Sequence, residues 1–119
     1  MPAVGPFPTG MRVEIPLHAA LLAPGVSART VWETLQRCYQ AEPFVRVAPY
    51  PDTLDADERR FDPRACDGSN RIELHVLPNP AGHVLLIGLL DNLGKGAAGA
   101  AVQNLNLMLG RPEDSALRP

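Results

Sequence analysis

Between residues 11 and 17 apolar and polar positions alternate, with Met11, Val13, Ile15 and Leu17 set against Arg12, Glu14 and Pro16. This two-residue period predicts a half-buried strand. Pro16 has no N–H to give to a ladder, so the strand is expected to end there or to run along an edge. Over 27–40 the period changes to that of a helix. Val31, Leu35 and Cys38 fall on one stripe, widened by Trp32 and Tyr39. Ser27 follows the breaker pair Pro24-Gly25 as the N-cap, Glu33 and Arg37 stand four apart in the favourable order, and Pro43 prevents continuation. Phe44–Val47 reads as a short second strand. Arg71–Leu77 alternates again, with Ile72, Leu74 and Val76 on one face, and the run Pro78–Gly82 makes a turn. Val84–Leu90 is apolar throughout, as expected of a central strand covered on both faces. A closing helix is predicted over Ala97–Leu109. Its apolar stripe is Ala98, Val102, Leu105 and Leu109, and Gly110 and Pro112 end it.

The order is strand, helix, strand, long loop, strand, strand, helix. That pattern predicts an α+β fold, a small mixed or antiparallel sheet with helices packed on it, and 119 residues suffice for a single domain over 1–119. The 13 prolines concentrate where loops are expected. Residues 1–9 hold three of them and are not expected to start a regular element. Residues 48–70 mix prolines with Asp55, Asp57, Glu58, Arg59, Arg60, Asp62 and Arg64. A stretch this long without structure is uncommon in a compact domain and is expected to be either mobile or functional. The last residues are expected to fray.

Composition narrows the function classes. The net charge of −2, the single lysine (Lys95) and the dispersed arginines argue against nucleic-acid binding. No run of 18 apolar residues and no signal-peptide pattern is present, so neither a membrane partner nor export is expected and the chain reads as cytoplasmic. Two cysteines make no disulfide framework. Cys38 is expected in the core. Cys66, in the long loop near Arg64, is expected to be exposed, either as a reactive thiol or as a bystander. His18 and His83 lie at strand ends and His75 on the polar side of its strand. A zinc site from His75 and His83 lacks a third ligand at suitable spacing, so no metal is expected. Arg46 is expected in a surface ion pair.

The most informative stretch is Asp91–Leu107, DNLGKGAAGAAVQNLNL. Gly94, Gly96 and Gly99 match the dinucleotide fingerprint G-x-G-x-x-G after a strand and before a helix. The fingerprint also needs a second parallel strand with an acidic residue about 20 positions on. Glu113 and Asp114 lie instead in a proline-flanked tail, so the Rossmann reading is rejected. A helix start rich in glycine, carrying Lys95, suits a phosphate or carboxylate. The alternative is close packing, with glycines and alanines letting the helix press against the sheet and Lys95 solvated.

DNLGKGAAGAAVQNLNLMLG resembles the C-terminal helix region of N-acetyl-gamma-glutamyl-phosphate reductases and the related aspartate-semialdehyde dehydrogenases. Gly68–Arg71 (GSNR), Glu42–Val47 (EPFVRV) and Pro2–Leu17 (PAVGPFPTGMRVEIPL) resemble further stretches of the same family, in the same order. The resemblance implies a glyceraldehyde-3-phosphate dehydrogenase-like C-terminal domain. It also implies a parent enzyme, expected to be a homodimer or homotetramer, that reduces an acyl phosphate to a semialdehyde with NADP in arginine biosynthesis. The family's thiolate nucleophile sits in a Pro-Gly-Cys motif that this sequence does not contain, and a Pro-His of the longer family form is matched here by Pro2-Ala3. The nucleophile and the nucleotide-binding domain are therefore expected upstream, and the chain is expected to be inactive alone. Position by position, the resemblance implies cofactor contacts at Lys95, Gly96, Gln103 and Asn104 and substrate contacts at Ser69 and Asn70. A non-enzymatic dimerisation module and a small-anion-binding module stand as alternatives.

Overall fold

The computed structural model describes residues 1–51 and 61–119. Among them five strands form one mixed sheet: β1 (Pro2–Ala3), β2 (Met11–Leu17), β3 (Val45–Val47), β4 (Ile72–Pro78) and β5 (Val84–Leu90), in the spatial order β1-β2-β5-β4-β3. All neighbours are antiparallel except the parallel pair β3–β4. The α-helices are α1 (Ala28–Tyr39) and α2 (Gly99–Met108), and a π-helical turn, Gly94–Ala98, leads into α2. Among the described residues no helix is long and apolar enough to cross a membrane.

β5 is the central strand that its apolar run predicts. It pairs with β2 along its whole length on one side and with β4 on the other, and Leu89 is fully buried. Its side chains alternate between two cores. Val84 and Leu86 meet α1 through Ala28, Val31, Trp32 and Leu35. Leu85, Ile87 and Leu89 face the opposite way onto Phe61, Cys66 and Leu77.

α1 begins at a capping box, with Ser27 Oγ accepting from the N–H of Thr30 and the Thr30 hydroxyl accepting from the N–H of Ser27. Its inner face is tied to the end of β3 by Trp32 Nε1 donating to the Ala48 carbonyl at 2.8 Å and Gln36 Nε2 donating to the Val47 carbonyl at 3.1 Å. Beyond α1 the same face of the sheet is bare. Val13, Ile15, Ile72, Leu74 and Leu90 floor an apolar groove of about 260 Å³ beside Leu35.

Several expectations are corrected. Residues 2–3 do start a strand: as the outermost member of the sheet β1 tolerates a proline, whose missing N–H costs an edge strand nothing. Pro16 lies inside β2 on the part that β1 does not reach, an open edge as expected for a residue without an N–H. Cys38 is exposed, because the inward stripe of α1 runs through Val31, Trp32 and Leu35 toward Tyr39 and leaves Cys38 at its edge. His75 is buried rather than polar-facing. The segment after residue 60 covers that side of the sheet too, with the Phe61 ring edge-on to the imidazole at 5.2 Å and Glu73 Oε1 3.0 Å from His75 Nε2.

Cys66 is buried beneath the same segment, not exposed. Burial pushes its thiol up, and the Arg71 hydrogen bond and charge offset this only in part. Arg46 does make its surface ion pair, 4.0 Å from Glu73. His18 and His83 meet at the end of the sheet with ring centroids 4.3 Å apart and ring planes tilted by 42°. Of the long charged loop, residues 52–60 with Asp55, Asp57, Glu58, Arg59 and Arg60 lie outside the described residues.

The closing helix departs most from expectation. It begins at Gly94 rather than Ala97, and its stripe Ala98, Val102, Leu105 and Leu109 faces outward, with Leu105 51% exposed. α2 stands off the sheet, and its close neighbours are the π-helical turn and the tail, which leaves the leucines with no apolar surface to cover among the described residues.

Two measurements test this packing. Gly10 has φ +111°, and an added Cβ would lie 2.8 Å from the Pro63 carbonyl oxygen, whereas Gly25 has φ +82° and open space around it. Gly10→Ala is expected to lower unfolding stability by about 2–4 kcal/mol and Gly25→Ala by about 1 kcal/mol in denaturant titration. In a thiol-labelling assay Cys38 is expected to react within the dead time, and Cys66 only at the rate of unfolding. Two fast thiols would contradict the buried position of Cys66.

Candidate functional site

Loop 66–71 and the segment after β5 meet at the end of the sheet, and Asp91 joins them. Its Oδ1 accepts from the N–H groups of Leu93 and Gly94, both at 2.9 Å, and its Oδ2 accepts from the N–H of Gly68 at 2.9 Å. Burial alone would raise this carboxyl. Hydrogen bonds from Gly94, Gly68 and Leu93 together outweigh it and hold the group below the ordinary carboxylate value.

The Asp91 carbonyl accepts from the N–H of Gly96 at 2.9 Å, and Leu93 O from that of Ala98 at 3.1 Å, which opens the helix with a wide π-helical turn. Next along the chain, Asn92 Oδ1 accepts from the N–H of Gly10 at 2.8 Å and ties the start of β2 to the same corner.

The glycines here are packing residues. A Cβ on Gly94 would lie 2.9 Å from the Ser69 carbonyl oxygen, and one on Gly99 would lie 2.1 Å from Asn70 Oδ1. At Gly94 the helix start does hold a carboxylate, the chain's own Asp91.

Asn70 is 3% exposed and sits where the loop meets the helix. Its Nδ2 donates to Gln103 Oε1 at 2.9 Å, and Lys95 Nζ donates to the same oxygen at 2.6 Å. Gln103 Nε2 donates to Glu113 Oε1. Lys95 also lies over the Phe44 ring, 5.5 Å from its centroid. Burial pushes the Lys95 ammonium below its usual value, and the carboxylates of Glu113 and Glu42 oppose this only in part.

A cavity of about 300 Å³ opens beside this cluster. Gly68, Ser69, Asn70, Gly94 and Gly99 line one side and Ala116–Arg118 the other. Ser69 Oγ donates to the Cys66 carbonyl at 2.8 Å, so its hydroxyl proton serves the loop.

Of the residues singled out in the sequence, Ser69 and Asn70 line the cavity. Lys95 and Gln103 do not line it but are bonded to Asn70 or to each other behind it. Gly96 and Asn104 are exposed and stand outside the cluster. Three contributors were missed. Asp91 had a legible signal: an aspartate three residues before a glycine at a helix start is a side-chain cap. Asn106 interrupts Leu105 and Leu107, yet it is buried among exposed neighbours. Glu113 had no signal, since the tail was expected to fray. The tail is instead pinned, with the Arg118 carbonyl accepting from the N–H of Asn70 at 2.6 Å.

A family model described as the semialdehyde dehydrogenase dimerisation domain matches residues 1–92. The chain belongs to this family. It is 45% identical over 98% of its length to an N-acetyl-gamma-glutamyl-phosphate reductase 2 of Nostoc sp. (strain PCC 7120), of which it covers 37%. It is also 45% identical over 91% of its length to an N-acetyl-gamma-glutamyl-phosphate reductase of Sinorhizobium fredii, covering 34% of that protein. A reductase 2 of Pseudomonas putida is likewise 45% identical over 92% of this chain, which covers 35% of it. The chain thus spans about a third of the length of the curated relatives it matches. The family match ends at Asn92, so Asp91 lies inside the matched span and the π-helical turn and α2 lie outside it.

Asp91→Asn is expected to lower stability at pH 7 by about 1–3 kcal/mol, because the neutral amide accepts less strongly and turns donors toward backbone N–H groups. The folded carboxyl lies below the unfolded value. Its contribution is therefore complete above about pH 4 and is lost as pH falls through the folded value. Denaturant midpoints measured from pH 7 down to pH 3 should fall more steeply for the natural chain than for the variant. Parallel curves would remove Asp91 from its place.

Proposed function

We propose that this chain is the dimerisation and substrate-side domain of an NADP-dependent N-acetyl-gamma-glutamyl-phosphate reductase, which reduces an acyl phosphate to the semialdehyde. The observation that carries the reading is identity of 45% to proteins of that name over 98% of this chain, with the matched stretch spanning the loop, helix start and α2 that form the polar cluster.

In this reading each part of the domain has a task. Asp91 fixes the angle between loop and helix, Ser69 and Asn70 line the substrate side, and Lys95 and Gln103 present an ammonium and a carboxamide to the cofactor. The residues present fit a cofactor at the edge of the domain. Lys95 and Gln103 are partly exposed, Gly96 is uncovered, and the buried Asn70 Oδ1 has no hydrogen-bond partner among the described residues. When bound, the nicotinamide supplies the hydride.

The thiolate that displaces phosphate is not among the residues described here. Cys38 lies on the outer edge of α1, and burial pushes the Cys66 thiol up, away from the thiolate state that attack requires. The reading therefore assigns the nucleophile and the nucleotide-binding domain to other parts of the enzyme. The outward apolar face of α2 is the surface that meets that domain. The bare groove floored by Val13, Ile15, Ile72 and Leu74 is where a second subunit packs, in a homodimer or homotetramer.

The stand-alone anion-binding alternative is less favoured, because the N–H groups of Leu93 and Gly94 are already taken by Asp91.

The test is a chimera in which these 119 residues replace the matched third of the Nostoc reductase. The chimera is expected to reduce the acyl phosphate with NADPH, while the 119-residue chain alone shows no turnover. Gln103→Ala in the chimera is expected to raise KM for NADPH about tenfold, the loss of one hydrogen bond to a charged or polar ligand group. A folded chimera without turnover would overturn the assignment, and an unchanged KM would take Gln103 out of the cofactor site.

A further inference from the structure

Gln103 stands between groups of fixed polarity. Lys95 offers only N–H donors, and it meets Oε1. An ionised carboxylate offers only acceptors, and that of Glu113 meets Nε2. Reversing the amide would set NH₂ against an ammonium and carbonyl oxygen against a carboxylate, so the two charges determine its orientation. The choice passes one residue further. With Gln103 Oε1 facing it, Asn70 must present its own NH₂, and its Oδ1 is thereby turned toward Gly99.

The acidic end of this relay lies on the tail, which is held independently. Asn106 Nδ2 donates to the carbonyls of Glu113 at 3.1 Å and Ser115 at 2.9 Å. Gly110 turns the chain back at φ +63°, and Ala116 takes a left-handed conformation at φ 62° on the way to the Arg118–Asn70 bond. That buried carboxamide explains why Asn106 alone among the polar residues of α2 is withdrawn from solvent.

We propose that the C-terminal tail is the orienting arm of the site, with Glu113, held in place by Asn106, acting as a positioning residue that fixes the direction of the Gln103 amide and through it that of Asn70. The inference rests on the proposed cofactor role of Gln103 for its catalytic consequence but not for its structural content. The charged groups that face Lys95 are Glu113 from the tail and Glu42 ahead of β3, with the Phe44 ring beneath it. Removing Glu113 leaves burial opposed, among the described residues, by Glu42.

Lys95 is the chain's only lysine, so selective ¹³Cε-lysine labelling gives one titrating NMR signal in the 119-residue chain. Glu113→Gln is expected to move its midpoint to lower pH and to displace the Gln103 side-chain amide signal. Asn106→Asp, which places a carboxylate against two carbonyl oxygens and releases the tail, is expected to do the same if thermal melts show it folded. Asp114→Asn removes the same charge from the exposed neighbouring position and is expected to leave both signals in place.

A midpoint in Glu113→Gln no different from that in Asp114→Asn overturns the arm. In the active chimera Glu113→Gln is expected to raise KM for NADPH about fivefold to tenfold with a smaller change in kcat, and to shift the alkaline limb of kcat/KM by as much as the lysine signal moves. A shifted lysine signal with an unchanged KM supports the arm and counts against the cofactor reading instead.

Discussion

The corner after β5 depends on one carboxylate. Asp91 gathers three backbone N–H groups at a helix start and a loop end. Burying a carboxylate is costly unless it is hydrogen-bonded, and here every bond runs to a backbone donor of the loop or of the helix start. The result is a fixed angle between loop 66–71 and the final helix. Asn70, Lys95 and Gln103 can share one oxygen only because that angle is fixed. The glycines at 94 and 99 follow from the same constraint, since an added Cβ would meet the Ser69 carbonyl oxygen at 94 and the Asn70 side chain at 99.

The sheet supplies the rigid platform. A central strand that meets apolar surface on both faces has to be apolar at every position, and β5 is, although the groove beside α1 leaves part of one face open; its flanking partners hold it along its full length. Between the two cores the domain still leaves much apolar surface open, on the groove beside α1 and on the outer face of α2. Exposed apolar area of this kind marks association sites, and two separate faces accord with a domain that has more than one neighbour. The family description as a dimerisation domain agrees with one of them.

Much of the fold was legible in the residues, because strand and helix periods are local. The bounds of β2, the Ser27 cap of α1 and the β4–β5 hairpin all follow from alternation, capping chemistry and turn residues. The misreadings share a cause. Exposure of His75 and Cys66 was inferred from local pattern, but the segment carrying Phe61 covers that side of the sheet, and no periodicity signals what a loop will cover. The stripe on α2 has the right spacing, but no apolar surface among the described residues buries it. The polar cluster was legible in part: Ser69, Asn70, Lys95 and Gln103 came from the resemblance. Asp91, Asn106 and Glu113 act through contacts to backbone and side chains that only the assembled chain brings together.

The π-helical turn has a consequence of its own. It holds one residue more than an α-helical turn would, and each residue of a helix carries its side chain about 100° around the axis. Shortening the turn to ordinary pitch would leave the rise of α2 nearly unchanged while rolling the whole helix like a key in a lock. Gln103 would then point away from Asn70 and an apolar neighbour would take its bearing. The azimuth of every group on α2 is thus written into the five residues ahead of it, four of them glycine or alanine.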